Sequence, residues 1–220
     1  DSTIFDDFLH KFYEEVFFPY LDKHNIKTLI HLGDVVDRRK YINFRIADNF
    51  KKKFLQKLWD KKIDTHILIG NHDIYFKNTN SVNALQQLCT APDGINEPWI
   101  YEEPKVVNFD GLDILMLPWI NPENQQQSFD MLDTAKADVC MAHLDLKSDD
   151  GQIFYLGAQY EMTWSDYNQT KGFHIFDTDT RELEFIPNPN TIFQKLMYND
   201  TETDYDNFDI SSLHNKFVKL

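Results

Sequence analysis

The chain has 220 residues, 42% of them hydrophobic and 18 of them phenylalanine, which suits one sizeable α/β domain with a large core and excludes disorder as the default. Its net charge of −14 excludes a protein that coats nucleic acid unaided, because sequence-independent affinity for DNA comes from Lys and Arg displacing counterions. Basic residues still cluster at Arg38, Arg39 and Lys40 and at Lys51, Lys52 and Lys53, where solvated faces of a turn and a helix are the plain explanation.

The opening DSTIFDDF has neither the basic start nor the apolar block of a signal peptide, and no later run is long enough to span a membrane, so a soluble, cytoplasmic protein is expected. From residue 3 to 18, Ile4, Phe5, Phe8, Leu9, Phe12, Val16 and Phe17 recur at helical spacing until Pro19 ends or kinks the pattern. IKTLIHL (26–32) is a strand that stops at Gly33 and Asp34. Ile42, Ile46, Phe50, Phe54, Leu58 and Trp59 then mark one side of a helix, and DTHILI (64–69) is a second buried strand.

This β, α, β order predicts a mostly parallel sheet with helices on its faces and ligands gathered beyond the carboxyl ends of the strands. Residues 82–89 suggest a further helix. KVVNF and LDILML flank Asp110-Gly111, a tight hairpin signal, and ADVCMA (137–142) is another strand. QIFYLG, GFHIFD and ELEFI are expected as sheet strands, the last two joined at Thr178 to Thr180. The acidic stretch Asn199 to Asp209 marks a boundary, and the closing FVKL alternates like a strand without a partner. Cys89 and Cys140 are expected to be buried free thiols in a reducing compartment, with no disulfide.

Three apolar runs end in residues able to bind metal: IHL leads into Gly33-Asp34-Val35-Val36-Asp37, ILI into Gly70-Asn71-His72-Asp73, and VCMA into His143. If those strands are parallel neighbours, one sheet edge collects a carboxylate, an amide oxygen and two imidazoles. Mixed oxygen and nitrogen ligands suit manganese, iron or zinc, and the absence of cysteine from the set disfavours a structural zinc site. Each residue alone has a plainer reading: Asp34 and Asn71 as turn or cap residues, His143 as a core histidine, Asp37 as a residue orienting the turn. Three independent strand ends imitating one site is the less economical account.

GDVVD (33–37), GNHD (70–73) and AH (142–143), in that order, resemble the calcineurin-like metallophosphoesterase superfamily. The longer stretches ILIGNHDIYFKNTNSVNAL, PWINPEN and GFHIFDTDTRELEFIPN look like the nuclease subunits of SbcCD-type recombination complexes, most closely the tailed-phage versions. The resemblance implies a metallophosphoesterase β-sandwich core flanked by helices over residues 1–198, with residues 199–220 starting a C-terminal capping region. It also implies two divalent metal ions, most plausibly manganese, with Asp34 bridging them, Asn71 and His143 as ligands, and His72 as the catalytic histidine that assists the leaving oxygen. Asp73 is expected either to orient His72 by a hydrogen bond or, equally, to serve only the structure of the turn, and Asp37 to support the turn from behind the ligands. The implied partners are DNA, an ATPase subunit of the SbcC type and a second copy of the chain, the dimer using Ile42, Phe44 and Ile46, which would alternatively pack on the sheet.

Two parts of the family pattern are not in this sequence: an opening Asp-x-His, and a Gly-His-x-His after the AH strand, where only His174 and His214 follow His143. His174 stands in an alternating strand and is expected to be a sheet residue. Segments belonging before residue 1 and near 146–150, where the family's loop shrinks to LKSDDG, are expected in the full-length protein. The alternatives are a phosphatase or phosphodiesterase for small molecules, since one fold serves many esters, or a binding scaffold that kept the fold and lost catalysis.

Overall fold

Strand β1 (Thr28–His31) pairs in parallel with β2 (Asp64–Leu68), and β2 pairs in parallel with β3 (Trp99–Tyr101). This mixed α/β architecture is seen in a computed structural model that describes residues 3–93, 95–145, 153–197, 201 and 209–220. A parallel pair needs a crossover, and the chain between β1 and β2 supplies one: helix α3 (Phe44–Phe50), a π-helical turn (Lys51–Leu55) and helix α4 (Gln56–Asp60). The side chain of Asn43 caps α3 by accepting the N–H of Arg45 at 2.9 Å. The predicted apolar stripe holds for its second half only. Phe54, Leu55, Leu58 and Trp59 are buried, whereas Phe44 is 92% exposed and Ile46 38% exposed.

After α5 (Leu85–Leu88), a single turn where the pattern suggested residues 82–89, come β4 (Lys105–Phe109) and β5 (Leu112–Leu117). They form the expected antiparallel hairpin, with Asp110 (φ 51°) and Gly111 (φ 94°) at its tip. Strand β6 (Val139–Ala142) pairs in parallel with β5. Its crossover is α6 (Gln125–Thr134), which the sequence did not announce because QQQSFDMLDT carries no apolar stripe and buries only Ser128. Ile67, Leu68, Ile69, Ile114, Met116 and Leu117 are at most 1% exposed, each fully buried side chain contributing about 1.5–3 kcal/mol. Strand β6 lies at the sheet's edge and leaves Cys140 exposed, contrary to expectation, while Cys89 is buried; both thiols are free.

A set of buried asparagines clamps the loops that follow the strands. Asn80 donates through Nδ2 to the carbonyls of Glu102 (2.9 Å) and Trp119 (3.0 Å), and Asn121 donates to Asn80 Oδ1 at 2.9 Å. Asn124 accepts the N–H of Asn121 at 2.8 Å and donates to the Trp119 carbonyl at 3.1 Å. These bonds satisfy loop carbonyls that burial would otherwise leave unpaired.

The strands and helices described so far belong to one compact unit; a second holds the N-terminal helices and the later strands. There α1 (Thr3–Phe12) continues through a π-helical turn (Tyr13–Phe17) into α2 (Phe18–Lys23). The helix therefore does not end at Pro19. The wider turn, closed by Phe18 N–H to the Tyr13 carbonyl, relieves the clash a proline ring makes with the carbonyl four residues earlier. Strands β7 (Lys171–Phe176) and β8 (Leu183–Asn188) pair antiparallel as expected, and His174 faces Phe185 across the pair as a sheet residue. Residues 153–157 of the expected QIFYLG strand form no strand: Phe154 is 73% and Tyr155 62% exposed, so no burial rewards pairing. The closing segment does have a partner. Strand β10 (Phe217–Lys219) pairs in parallel with β9 (Phe193–Lys195), and Phe5, Phe193 and Phe217 pack together. Glu161, 1% exposed, accepts the N–H groups of Ile192 (2.6 Å) and Phe193 (3.0 Å). The loop expected near 146–150 and residues 199–200 and 202–208 of the acidic stretch lie outside the described residues. Among the described residues no helix is long and apolar enough to cross a membrane.

Candidate metal centre

Strands β1, β2 and β6 deliver their carboxyl ends to one place. Beyond β1 the chain turns through Gly33 (φ 97°) and Asp34 (φ 53°), a left-handed pair that L residues adopt only when the surroundings hold them. Beyond β2 come Gly70, Asn71, His72 and Asp73. The two turns press backbone against backbone: a Cβ on Gly70 would lie 2.2 Å from the Asp34 nitrogen and 2.3 Å from its Oδ1, and a Cβ on Gly33 2.7 Å from His143 Nδ1. Glycine is required at both positions, a constraint of close approach that the sequence motifs do not spell out.

Asp73 ties the turns together. Completely buried, its carboxylate accepts the N–H of Asp34 (2.9 Å) and of Gly70 (2.8 Å) at Oδ2, and that of Val36 (3.2 Å) at Oδ1. Burial raises its pKa to about 6, against the three backbone donors, which favour the charged form. Of the two roles expected of Asp73, these bonds fit the structural one, and His72 is held by other groups. The ring of His72 bonds through Nδ1 to the carbonyl of Asp37 at 2.8 Å, and its backbone N–H donates to Asp34 Oδ1 at 2.8 Å. Asp37 contributes that carbonyl alone; its side chain is 91% exposed and lies 3.7 Å from Arg38.

His143 closes the set. Its Nδ1 lies 2.7 Å from the Leu32 carbonyl, which accepts and so fixes the proton on Nδ1 and leaves a lone pair on Nε2. That lone pair faces Asn71 Oδ1 at 3.1 Å and Asp34 Oδ1 at 3.5 Å. Trp119 stands edge-on to the imidazole, with ring centres 6.1 Å apart. His31, at the end of β1, escaped the sequence reading although it precedes the motif by two residues. Its Nδ1 accepts the N–H of Gly33 at 3.2 Å, and burial together with the nearby His143 lowers its pKa to about 4, keeping the ring neutral at pH 7.

A carboxylate, an amide oxygen and an imidazole lone pair at such distances repel one another unless the amide turns or a cation stands among them. Turning the Asn71 amide would bring its nitrogen to 3.1 Å from His143 Nε2 and to 3.2 and 3.3 Å from the Asp34 oxygens; a divalent cation would satisfy all three with Oδ1 left in place. The donor set thus fits a metal. Among the described residues no group of three or more His, Cys, Asp and Glu side chains is arranged to hold one.

Residues 4–193 match the family of calcineurin-like phosphoesterases. The chain belongs to that family. Calcineurin-like phosphoesterases use divalent metals, which the donor set of Asp34, Asn71 and His143 fits. The phosphoesterase chain is also similar to exonuclease subunit 1 of Enterobacteria phage T4, with 29% identity over 211 residues covering 81% of this chain and 61% of the relative. It therefore spans less than two thirds of that relative's length.

The glycine packing makes a direct prediction. Gly70→Ala must push Asp34 and its left-handed turn away, so the unfolding free energy should fall by about 1–3 kcal/mol, as overpacking does. Denaturant melts check this outcome; a stability equal to the parent's would mean that the turns are not locked together.

Proposed function

We propose that this chain is the nuclease subunit of a DNA recombination and double-strand-break processing complex, hydrolysing phosphodiesters in the cytoplasm of a phage-infected host. The observation that carries the reading is the His143 imidazole, held by the Leu32 carbonyl so that its Nε2 lone pair joins Asp34 and Asn71. The similarity to a phage exonuclease subunit supports DNA as the ester. Two divalent cations, with manganese the proposed ion and with Asp34, Asn71 and His143 among their ligands, would supply the charge that activates water and stabilises both oxygens of an in-line displacement. The chain's own share of the chemistry falls to His72. Its Nδ1 bond to the Asp37 carbonyl holds the ring and confines proton exchange to Nε2, from which a proton would pass to the departing oxygen as the phosphorus–oxygen bond breaks.

Linear DNA should be digested when manganese is supplied and left intact when it is chelated, and His72→Ala should lower that rate by about 10²–10⁴ with little change in melting temperature. A variant rate close to the parent's would remove His72 from the mechanism. Faster hydrolysis of a small aryl phosphodiester than of DNA would favour a small-molecule esterase, and manganese-loaded protein without turnover would favour a scaffold.

Helix α3 supports the proposed homodimer, since Phe44 is 92% and Ile46 38% exposed on a face that nothing in the unit covers. Phe44→Glu with Ile46→Glu should turn a sedimenting dimer into a monomer; an unchanged sedimentation coefficient would exclude this face.

With a net charge of −14, the subunit is proposed to depend on an ATPase partner of the SbcC type for most of its DNA affinity. Binding titrations across a salt series should give the complex a higher affinity and a steeper slope than the subunit. Equal affinities and equal slopes would place the DNA site on this chain alone.

A further inference from the structure

We propose that Tyr75 and Phe76, with Tyr41, Arg38 and Lys40, form a platform that stacks and holds unpaired nucleotides of a DNA strand beside the metal centre, an inference that rests on the nuclease reading. Tyr75 and Phe76 follow Ile74, which is fully buried and bridges to Asn83, while the N–H of Tyr75 donates to the Val82 carbonyl at 2.9 Å. On a loop pinned in this way, two consecutive aromatic side chains remain 44% and 50% exposed, their rings 4.7 Å apart and near perpendicular. Core packing does not account for a pair of neighbouring rings that both face water.

Cations meet these rings from the other loop. Lys40 Nζ lies 5.6 Å from the centre of the Tyr75 ring, and the Arg38 guanidinium lies 5.4 Å from that of Tyr41, whose hydroxyl it also bonds. Tyr41 is 56% exposed. Arg38, Arg39 and Lys40 stand in succession on a strongly acidic chain, where a positive patch runs against the overall charge and complements phosphates. Both loops are extensions of the site: the bond from His72 Nδ1 to the Asp37 carbonyl joins the segment leading to Arg38 with the segment leading to Tyr75. Exposed ring faces flanked by Lys and Arg are the chemistry that binds single strands, because every base offers a π-face once unpaired, whereas a duplex keeps those faces stacked on one another.

The test uses the full-length chain with manganese, a single-stranded oligothymidylate carrying one 2-aminopurine, and bis(4-nitrophenyl) phosphate as a substrate without bases. In the Tyr75→Leu/Phe76→Leu variant, KM for the oligonucleotide should rise by about tenfold or more while kcat changes far less, and the quenching of 2-aminopurine fluorescence on binding should be lost. Arg38→Gln/Lys40→Gln should flatten the dependence of log affinity on log salt by about 1.4, two phosphate contacts at ~0.7 each on a single strand. Should the double leucine variant lose its melting transition, Phe76→Leu alone gives the same readout. An oligonucleotide KM within about twofold of the parent's, with quenching retained, would overturn the platform. So would an equal loss on both substrates, which would mean that the rings support the site's structure. Conversion of a dimer to a monomer with single-strand affinity unchanged would make the patch a self-association face and overturn it too. A parent chain that digests no DNA at all would remove the nuclease reading and this inference together, whereas active parent and unaffected variants would remove only the platform.

Discussion

One buried carboxylate sets the geometry on which the candidate centre depends. Asp73 has no access to water and accepts three backbone N–H groups, two from the turn after β1 and one from the turn after β2. Each donor lies at a strand end where the sheet ladder has stopped and an N–H would otherwise be unpaired. By collecting them, Asp73 converts two independent loops into one body. Removing its side chain would leave one buried and two part-buried donors unsatisfied, the buried one alone costing about 1–3 kcal/mol, so the residue is worth more to the structure than a single contact suggests.

The rest of the centre follows from that join. With the turns locked, Gly33 and Gly70 can lie in backbone contact, and Asp34 is held in a left-handed conformation that directs its carboxylate to His72 N–H and toward His143. His143 then needs only one further constraint, the Leu32 carbonyl, to choose its tautomer and aim its lone pair. Backbone groups thus place three of the site's side chains: a carbonyl for His143, a carbonyl for His72 and N–H groups for Asp73. Such placement is insensitive to rotamer disorder in neighbouring side chains, which suits ligands that must converge before any cation arrives.

Much of this was legible in the sequence, and what was not has physical causes. Strands β1, β2 and β6 each show an apolar run stopping at a polar residue, and that signal brought Asp34, Asn71 and His143 together before any coordinates. The Asp110-Gly111 hairpin was legible because only a few residues tolerate two successive positive φ angles. Helix α6 was invisible since it buries almost nothing, and β3 and β9 because three residues are too few to show a period. The Asp73 to His72 bond, one of two expected roles, followed from adjacency in the chain; the fold instead turned Asp73 inward, where long-range N–H groups outcompeted a near neighbour. His31, a histidine inside an apolar run, reads as strand, and FVKL reads as unpaired because its partner, Phe193–Lys195, carries no strand signal of its own.

The bond from His143 to Leu32 links residues 111 positions apart. Closing so long a loop is entropically unfavourable and waits on the docking of β6 against β5, so the centre cannot form as a local motif in a partly made chain. Asp34 and Asn71 can meet once β2 has joined β1, but the imidazole comes with a later strand. During synthesis the ribosome would therefore release an incomplete ligand set for as long as β6 is missing, and metal affinity would appear late in folding, together with the native topology rather than ahead of it. The convergence of Asp34, Asn71 and His143 is in that sense a reporter of finished folding.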